Sequence, residues 1–212
     1  MKLVTIETTI EGISPLILHN SRTANPLDKF NKLMKQITSK RKKTDEDYEA
    51  LLLLQWEAAL YWDDKLGVYL PWENAFAMLL KAAKKHKLGT KMGAFDFSNN
   101  FLGFPIIFPN SKNLEKLRAN QENKLVKLVT IQRSKTISCR PIFKDWSITF
   151  NFEVNVSLID MNEVKTILAT AAEQVGCGEW RASAPTPGPY GKFVIRNISK
   201  IEDGKKVTLF EG

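Results

Sequence analysis

Histidine and cysteine are scarce in this chain, two of each in 212 residues. Cys139 and Cys177 stand far apart with no C-x-x-C spacing. That spacing excludes a thiolate zinc site and a disulfide framework, and is expected of reduced thiols in the cytoplasm. No H-x-x-x-H, H-E-x-x-H or Cys/His cluster occurs, so neither a metal site nor a cofactor is expected. The phosphate-cradling pattern G-x-x-x-x-G-K-[ST] and the nucleophile elbow G-x-S-x-G are also missing. Apolar runs are far too short to cross a bilayer. The first residues, MKLVTIETTIEG, alternate and carry acids, unlike a secretory leader. No repeat of solenoid length is visible. The expectation is a cofactor-free cytoplasmic protein with no membrane partner.

Basic residues are plentiful: 31 Lys and Arg against 23 Asp and Glu give a net charge of +8. They fall in blocks. Lys29, Lys32, Lys35, Lys40, Arg41, Lys42 and Lys43 have only Asp28 as an acidic companion. Lys81, Lys84, Lys85, Lys87 and Lys91 have none, and neither do Lys124, Lys127, Arg133, Lys135, Arg140 and Lys144. Such blocks can follow a phosphate chain and release its counterions, so nucleic acid is the first partner to expect. The competing reading is three solvated faces that never meet.

Hydropathy patterning supplies the elements. Residues 3–10 alternate as a strand and turn at Gly12 into residues 13–18. Residues 20–43 read as a basic, mobile insertion with a partial helix through Leu27, Phe30, Leu33, Met34 and Ile37. Thr44 and Asp47 form a capping box for a helix running to about residue 62. Residues 66–70 form a short strand, and Pro71 opens a helix with Trp72, Phe76, Leu79, Leu80 and Ala83 on one face. Residues 104–108 and 125–137 read as strands, and residues 146–158 alternate strictly, with Trp146, Ile148, Phe150, Phe152, Val154, Val156 and Leu158 inward. Asp160 and Glu163 cap a helix with Val164, Ile167, Leu168 and Ala171 inward. Residues 193–198 are a strand, and Asp203-Gly204 turns the chain into a last one. One α+β domain over residues 1–212 accommodates this order: an antiparallel sheet with helices on one face. A ferredoxin-like βαββαβ core fits if residues 125–137 and 146–158 are its second and third strands.

The most informative stretch is residues 168–195. A helical pattern meets Val175-Gly176-Cys177-Gly178, then Trp180-Arg181, then a Pro/Ser loop ending in Gly188-Pro189-Tyr190-Gly191-Lys192-Phe193. Glycines allow close approach of bare backbone, and such a loop can offer its N–H groups to an anion. Trp180 and Tyr190 lie among polar residues, where rings are free to stack on bases. Trp56, Trp72 and Trp146, with Phe104, Phe108 and Phe193, read as core. Cys177 shows no basic partner that would activate it.

Taken together, Gly12-Ile13-Ser14-Pro15-Leu16, the Tyr69-Leu70-Pro71 entry to a helix, Arg140-Pro141 before Trp146, and the glycine loop resemble the RAMP superfamily, modified RRM-type proteins that include backbone subunits of CRISPR effector complexes. The layout also resembles small proteins of bacteriophages and prophages. The resemblance spans most of the chain and implies an RRM-like fold, nucleic-acid binding, side-by-side self-association and residence in a bacterial host cell. Some related proteins are metal-independent endoribonucleases with a histidine near the glycine loop, which makes His86 and His19 the candidate acid/base residues.

The expected function is non-catalytic binding of single-stranded DNA or RNA. Its expected site is Lys40, Arg41, Lys42, Lys43, Lys84, Lys85, Lys87, Lys91, Arg133, Lys135, Arg140, Gly176, Gly178, Trp180, Arg181, Tyr190 and Lys192. The alternatives are a metal-independent endoribonuclease, and a phage structural or adaptor protein whose charge is incidental.

Overall fold

The computed structural model describes residues 2–131 and 134–212. In chain order the elements are β1 (Leu3–Gly12), β2 (Leu16–Ile17), α1 (Lys29–Thr38), α2 (Asp45–Ala59), β3 (Trp62–Asp63), β4 (Gly67–Leu70), α3 (Trp72–Lys85), β5 (Phe95–Asp96), β6 (Phe104–Ile107), α4 (Leu114–Ala119), β7 (Lys124–Ile131), β8 (Ser134–Phe143), β9 (Ser147–Asn155), α5 (Met161–Thr170), β10 (Phe193–Glu202) and β11 (Lys205–Glu211). This is an α+β protein built on a large antiparallel sheet ordered β11-β10-β1-β9-β6-β4-β3, with β5 also paired to β9; β2, β8 and β7 form a second, three-stranded sheet. Among the described residues no helix is long and apolar enough to cross a membrane.

The period-two pattern does what sheet geometry requires of it. On β1, Val4, Ile6, Thr8 and Ile10 are buried; opposite them on β9 lie Val154, Phe152, Phe150 and Ile148, also buried. The other face of this pair carries Thr5, Glu7, Thr9 and Glu11 against Glu153, Asn151, Thr149 and Ser147. The buried face packs on α3 through Ala75, Met78, Leu79, Ala82 and Ala83 and on α5 through Val164, Ile167 and Leu168. Burial of side chains this size contributes roughly 1.5–3 kcal/mol for each of the larger ones.

Both capping boxes form. Thr44 and Asp47 exchange hydrogen bonds at the start of α2, and Asp160 and Glu163 do the same for α5. The Asp203-Gly204 turn joins β10 to β11 with both residues at positive φ, 51° and 74°, the conformation a two-residue hairpin of this hand requires. Buried Trp146 donates to Ser14 O at 2.8 Å, and Gly12 makes room for it: a Cβ there would lie 2.1 Å from the indole nitrogen. Buried Trp56 likewise donates to Asn123 O, so neither indole N–H is left unpaired.

Three expectations need correction. Residues 125–137 are not one core strand. Residues 125–131 and 134–137 lie on β7 and β8, which pair with each other outside the large sheet, with Leu128 and Ile137 directly opposed and exposed. The neighbours of β9 are β1, β6 and β5 instead. The apolar residues of β7 and β8 resemble a core strand because alternation reports a half-buried strand without saying which sheet buries it. Second, α2 stops at Ala59, where Leu60 turns extended, and β3 follows. Third, the alternating run ends at Asn155, not residue 158, and Leu158 is exposed. The segment 20–43 contains a short 3-10 turn, Ser21–Ala24, and α1.

Candidate nucleic-acid interface

The glycine loop begins where α5 loosens. After Thr170 the chain makes a π turn, Ala171–Val175, and Gly176 ends it at φ 77°. The loop then folds back on the β1–β2 connection. Cys177 N–H donates to Gly191 O at 2.8 Å, Glu179 N–H to Ile17 O at 2.9 Å and Gly191 N–H to Pro15 O at 2.9 Å; Gly176 N–H returns to Ala171 O. These four donors are therefore committed to main-chain carbonyls, and they do not form the anion cradle the sequence suggests. The glycines serve a different end. A Cβ at Gly178 would lie 2.4 Å from Ile17 O, and one at Gly191 only 1.7 Å from Cys177 O. Both residues have positive φ, so the loop closes on the sheet connection only with bare backbone there.

Closing the loop brings side chains from four parts of the chain together. Trp180, half-buried, adopts φ 50°, a left-handed conformation that costs a bulky residue roughly 1–3 kcal/mol. Its ring meets that of Tyr190 at 6.2 Å and 39°. Lys127 of β7 lies 5.2 Å from both ring centroids and donates to Tyr190 Oη at 3.0 Å. Lys81 of α3 donates to Ser183 O. Arg140 of β8 donates through Nε to Glu179 Oε2 at 3.0 Å, and His19 meets Glu179 Oε1 at 2.9 Å. Burial works to raise the Glu179 carboxyl, but the His19 hydrogen bond and the Arg140 charge outweigh it and hold the group below its ordinary range. Arg181 turns inward and donates to Gly178 O at 2.7 Å. A cavity of about 310 Å³ opens beside this cluster, bordered by His19, Tyr61, Asn74, Glu179 and Arg181.

Each expected site residue can now be located. Lys127 and Arg140, from the third basic block, and Lys81, from the second, converge on the glycine loop with Trp180, Arg181 and Tyr190. Lys192 is exposed and lines a separate groove beside Phe193. Lys84, Lys85 and Lys87 are exposed at the end of α3. Lys91 is bound to Glu163 at 2.5 Å. Lys40 pairs with Asp47 at 2.6 Å, while Arg41 and Lys42 are exposed and Lys43 donates to Lys40 O; these four lie between α1 and α2. Lys135 is exposed on β8, and Arg133 lies outside the described residues. Phe104, Phe108, Phe193, Phe95 and Phe97 are buried, whereas Phe101 is 80% exposed.

The histidines are occupied. His19 Nε2 faces Thr23 Oγ1 at 3.0 Å, and the Thr23 hydroxyl donates its own proton to Asn20 O. With Glu179 Oε1 2.9 Å from Nδ1, both imidazole nitrogens have a protein partner. His86 Nε2 is bonded to the buried Thr170 hydroxyl at 2.7 Å. Burial pushes the thiol of Cys177 up to about 12 and that of Cys139 up to about 11, so both are protonated near neutral pH and poor nucleophiles. Asp63 accepts from the N–H groups of Lys65 and Leu66, a turn-forming role. Among the described residues no group of three or more His, Cys, Asp or Glu could hold a metal ion.

Sequence reasoning missed Glu179, which organises the cluster. It is the sole acid of residues 176–192, and a lone carboxylate among cations and glycines was the available signal. No known family model matches the chain, and neither does any curated protein.

Proposed function

We propose that this protein binds single-stranded nucleic acid without cleaving it, and that its core is a ferredoxin-like unit made of β1, α3, β6, β9, α5 and β10. The strand order β10-β1-β9-β6, with every pair antiparallel, supports the fold reading. One observation carries the functional reading: Lys127 rests against Trp180 and Tyr190, joining the third basic block to the aromatic glycine loop. A cation beside partly exposed rings suits a strand whose bases stack and whose phosphates seek positive charge; stacking contributes roughly 1–3 kcal/mol per base. The hairpin adds Leu128, 70% exposed, next to Lys127 in sequence.

Fluorescence anisotropy with labelled single-stranded DNA and RNA at two salt concentrations tests the proposal. Affinity that falls steeply with salt and is weakened by Trp180→Ala is the expected result. Absence of binding at low salt, or cleavage of RNA in EDTA that His19→Ala abolishes, overturns it. Side-by-side association along the strand belongs to the same reading and predicts saturation with several copies on a long oligonucleotide.

A further inference from the structure

The glycine loop has a second side. Trp180 turns its ring to Tyr190 and Lys127, while its neighbours in sequence, Glu179 and Arg181, line the cavity of about 310 Å³. Another wall comes from α3, where Asn74 and Ala77 line the cavity and are exposed, so it opens to solvent on that side. Buried Leu18 and Met78 supply an apolar lining. A small cavity, part apolar and carrying a few fixed polar groups, is the usual form of a small-ligand site.

The polar groups there are positioned without being exhausted. Glu179 meets His19 through Oε1 and Arg140 through Oε2, one partner at each oxygen, whereas an ionised carboxylate has roughly four lone-pair positions. Its carboxyl is held below the ordinary range, so it is ionised at neutral pH. Arg181 donates through Nη1 to Gly178 O at 2.7 Å; that bond fixes the guanidinium, which has further N–H groups to give. The pair restricts the ligand. A phosphate meets the Glu179 carboxylate, and an ammonium or metal ion meets the Arg181 guanidinium. A neutral, flat ligand with donors for the carboxylate and acceptors for the guanidinium offends neither. Nucleobases are such ligands, and proteins read them at these edges when strands are single. Guanine alone of the common bases sets two N–H donors side by side, at N1 and at the N2 amino group, to match the two oxygens of a carboxylate. It also carries O6 and N7, the acceptor pair that arginine takes in bidentate fashion.

We infer that this cavity takes a guanine base, whose N1–H and N2–H donate to Glu179 and whose O6 and N7 accept from Arg181. The base belongs either to the strand lying across Trp180 and Tyr190 or to a free guanine nucleotide. In the first case the inference rests on the nucleic-acid reading and gives it a sequence preference, which phosphate contacts alone do not supply.

Anisotropy of the full chain with labelled oligo(dT) carrying one central guanine, hypoxanthine or adenine tests the first source. Calorimetry with guanosine and adenosine monophosphates tests the second. Guanine should tighten strand binding about tenfold over adenine, and hypoxanthine, which lacks the N2 amino group, should lose most of that gain. Glu179→Gln, which exchanges one acceptor oxygen for an amide donor, should abolish the preference. Ala77→Leu should do so as well: it narrows the cavity from an exposed helix position, keeps the Glu179 bonds, and should leave affinity for plain oligo(dT) as it was. This second variant reports even if Glu179→Gln fails to fold. Equal affinity for the guanine and adenine strands, with no binding of millimolar guanosine monophosphate, overturns the inference and leaves single-strand binding standing. Guanosine monophosphate bound in preference to its adenosine counterpart, with no strand bound, keeps the cavity assignment and ends the nucleic-acid reading. Binding of neither ends both. A guanine preference that persists in folded Ala77→Leu and Glu179→Gln puts recognition elsewhere and overturns the inference too.

Discussion

The outer face of the large sheet and the loop cleft are both polar surfaces, and they differ in how their charges are used. On the sheet face, β1 and β9 present Thr5, Glu7, Thr9 and Glu11 with Ser147, Thr149, Asn151 and Glu153. No ring stands among these side chains, Thr9 and Thr149 bond to each other, Glu7 pairs with Lys206 and Glu11 with Arg196. At the loop, Lys127 meets two rings, and the single carboxylate, Glu179, is shared by His19 and Arg140. RRM-type proteins commonly stack bases on aromatic residues of the open sheet. Here β1 and β9 carry no ring on that face, and the glycine loop has two. The proposed function therefore rests on the grouping of rings with a cation at the loop and not on the open sheet face.

The comparison can be broken most severely at Gly191. A methyl group there meets Cys177 O at 1.7 Å with φ at 64°, so Gly191→Ala should lower stability by several kcal/mol, on the order of 3 or more. A shift in the denaturation midpoint measures this loss, and oligonucleotide binding should fall with it. Trp180→Gly separates the two properties. It relieves the left-handed strain while deleting the ring, so the melting midpoint should change little and affinity should drop by roughly 1–3 kcal/mol, read by anisotropy.

Glu179→Gln should destabilise by about 1–3 kcal/mol, because Arg140 and His19 lose a shared acceptor charge. The variant also tests a pH dependence. The folded carboxyl titrates below its ordinary value of 4.5, so the unfolded chain takes up the proton first on acidification. The stabilisation is complete above the ordinary value and is lost as pH falls through the lowered folded one. Wild-type protein should therefore show a steeper acid loss of stability than Glu179→Gln, measured by urea titration at a series of pH values.

Smaller effects sharpen the contrast. Lys127→Gln should weaken single-strand binding severalfold and reduce the slope of log affinity against log salt by about 0.7, the share of one phosphate contact. Glu7→Gln on the sheet face should change stability by less than about 0.5 kcal/mol, since its pair with Lys206 is exposed. The same change should leave nucleic-acid affinity as it was. A large loss of affinity from Glu7→Gln, with none from Trp180→Gly, would reverse the assignment of the two surfaces.

Local rules made much of the fold legible. The alternation of β1 and β9, the capping boxes before α2 and α5, the entry to α3 at Pro71 and the Asp203-Gly204 turn each follow from neighbouring residues. Partner choice was not legible. The apolar residues of β7 and β8 fit a core strand equally well, because periodicity does not encode which strand will lie alongside. The loop is legible but the use of its glycines is not: close approach of bare backbone is expected there, whereas the carbonyls that close over Gly178 and Gly191 are not. Trp180 and Tyr190 stand out by their polar surroundings, but that the two rings meet each other and Lys127 is not legible. Lys40 and Lys91 read as available cations in the sequence, yet Asp47 and Glu163 hold them; acids outside a basic block are invisible to a block count.

The bond from His19 to Glu179 spans 160 positions of the chain, and Pro15 O waits for the N–H of Gly191. During synthesis the first of these groups leaves the ribosome long before the second is made. The loop surface is therefore withheld until residues 176–191 emerge, and whatever it binds must wait for a nearly finished chain.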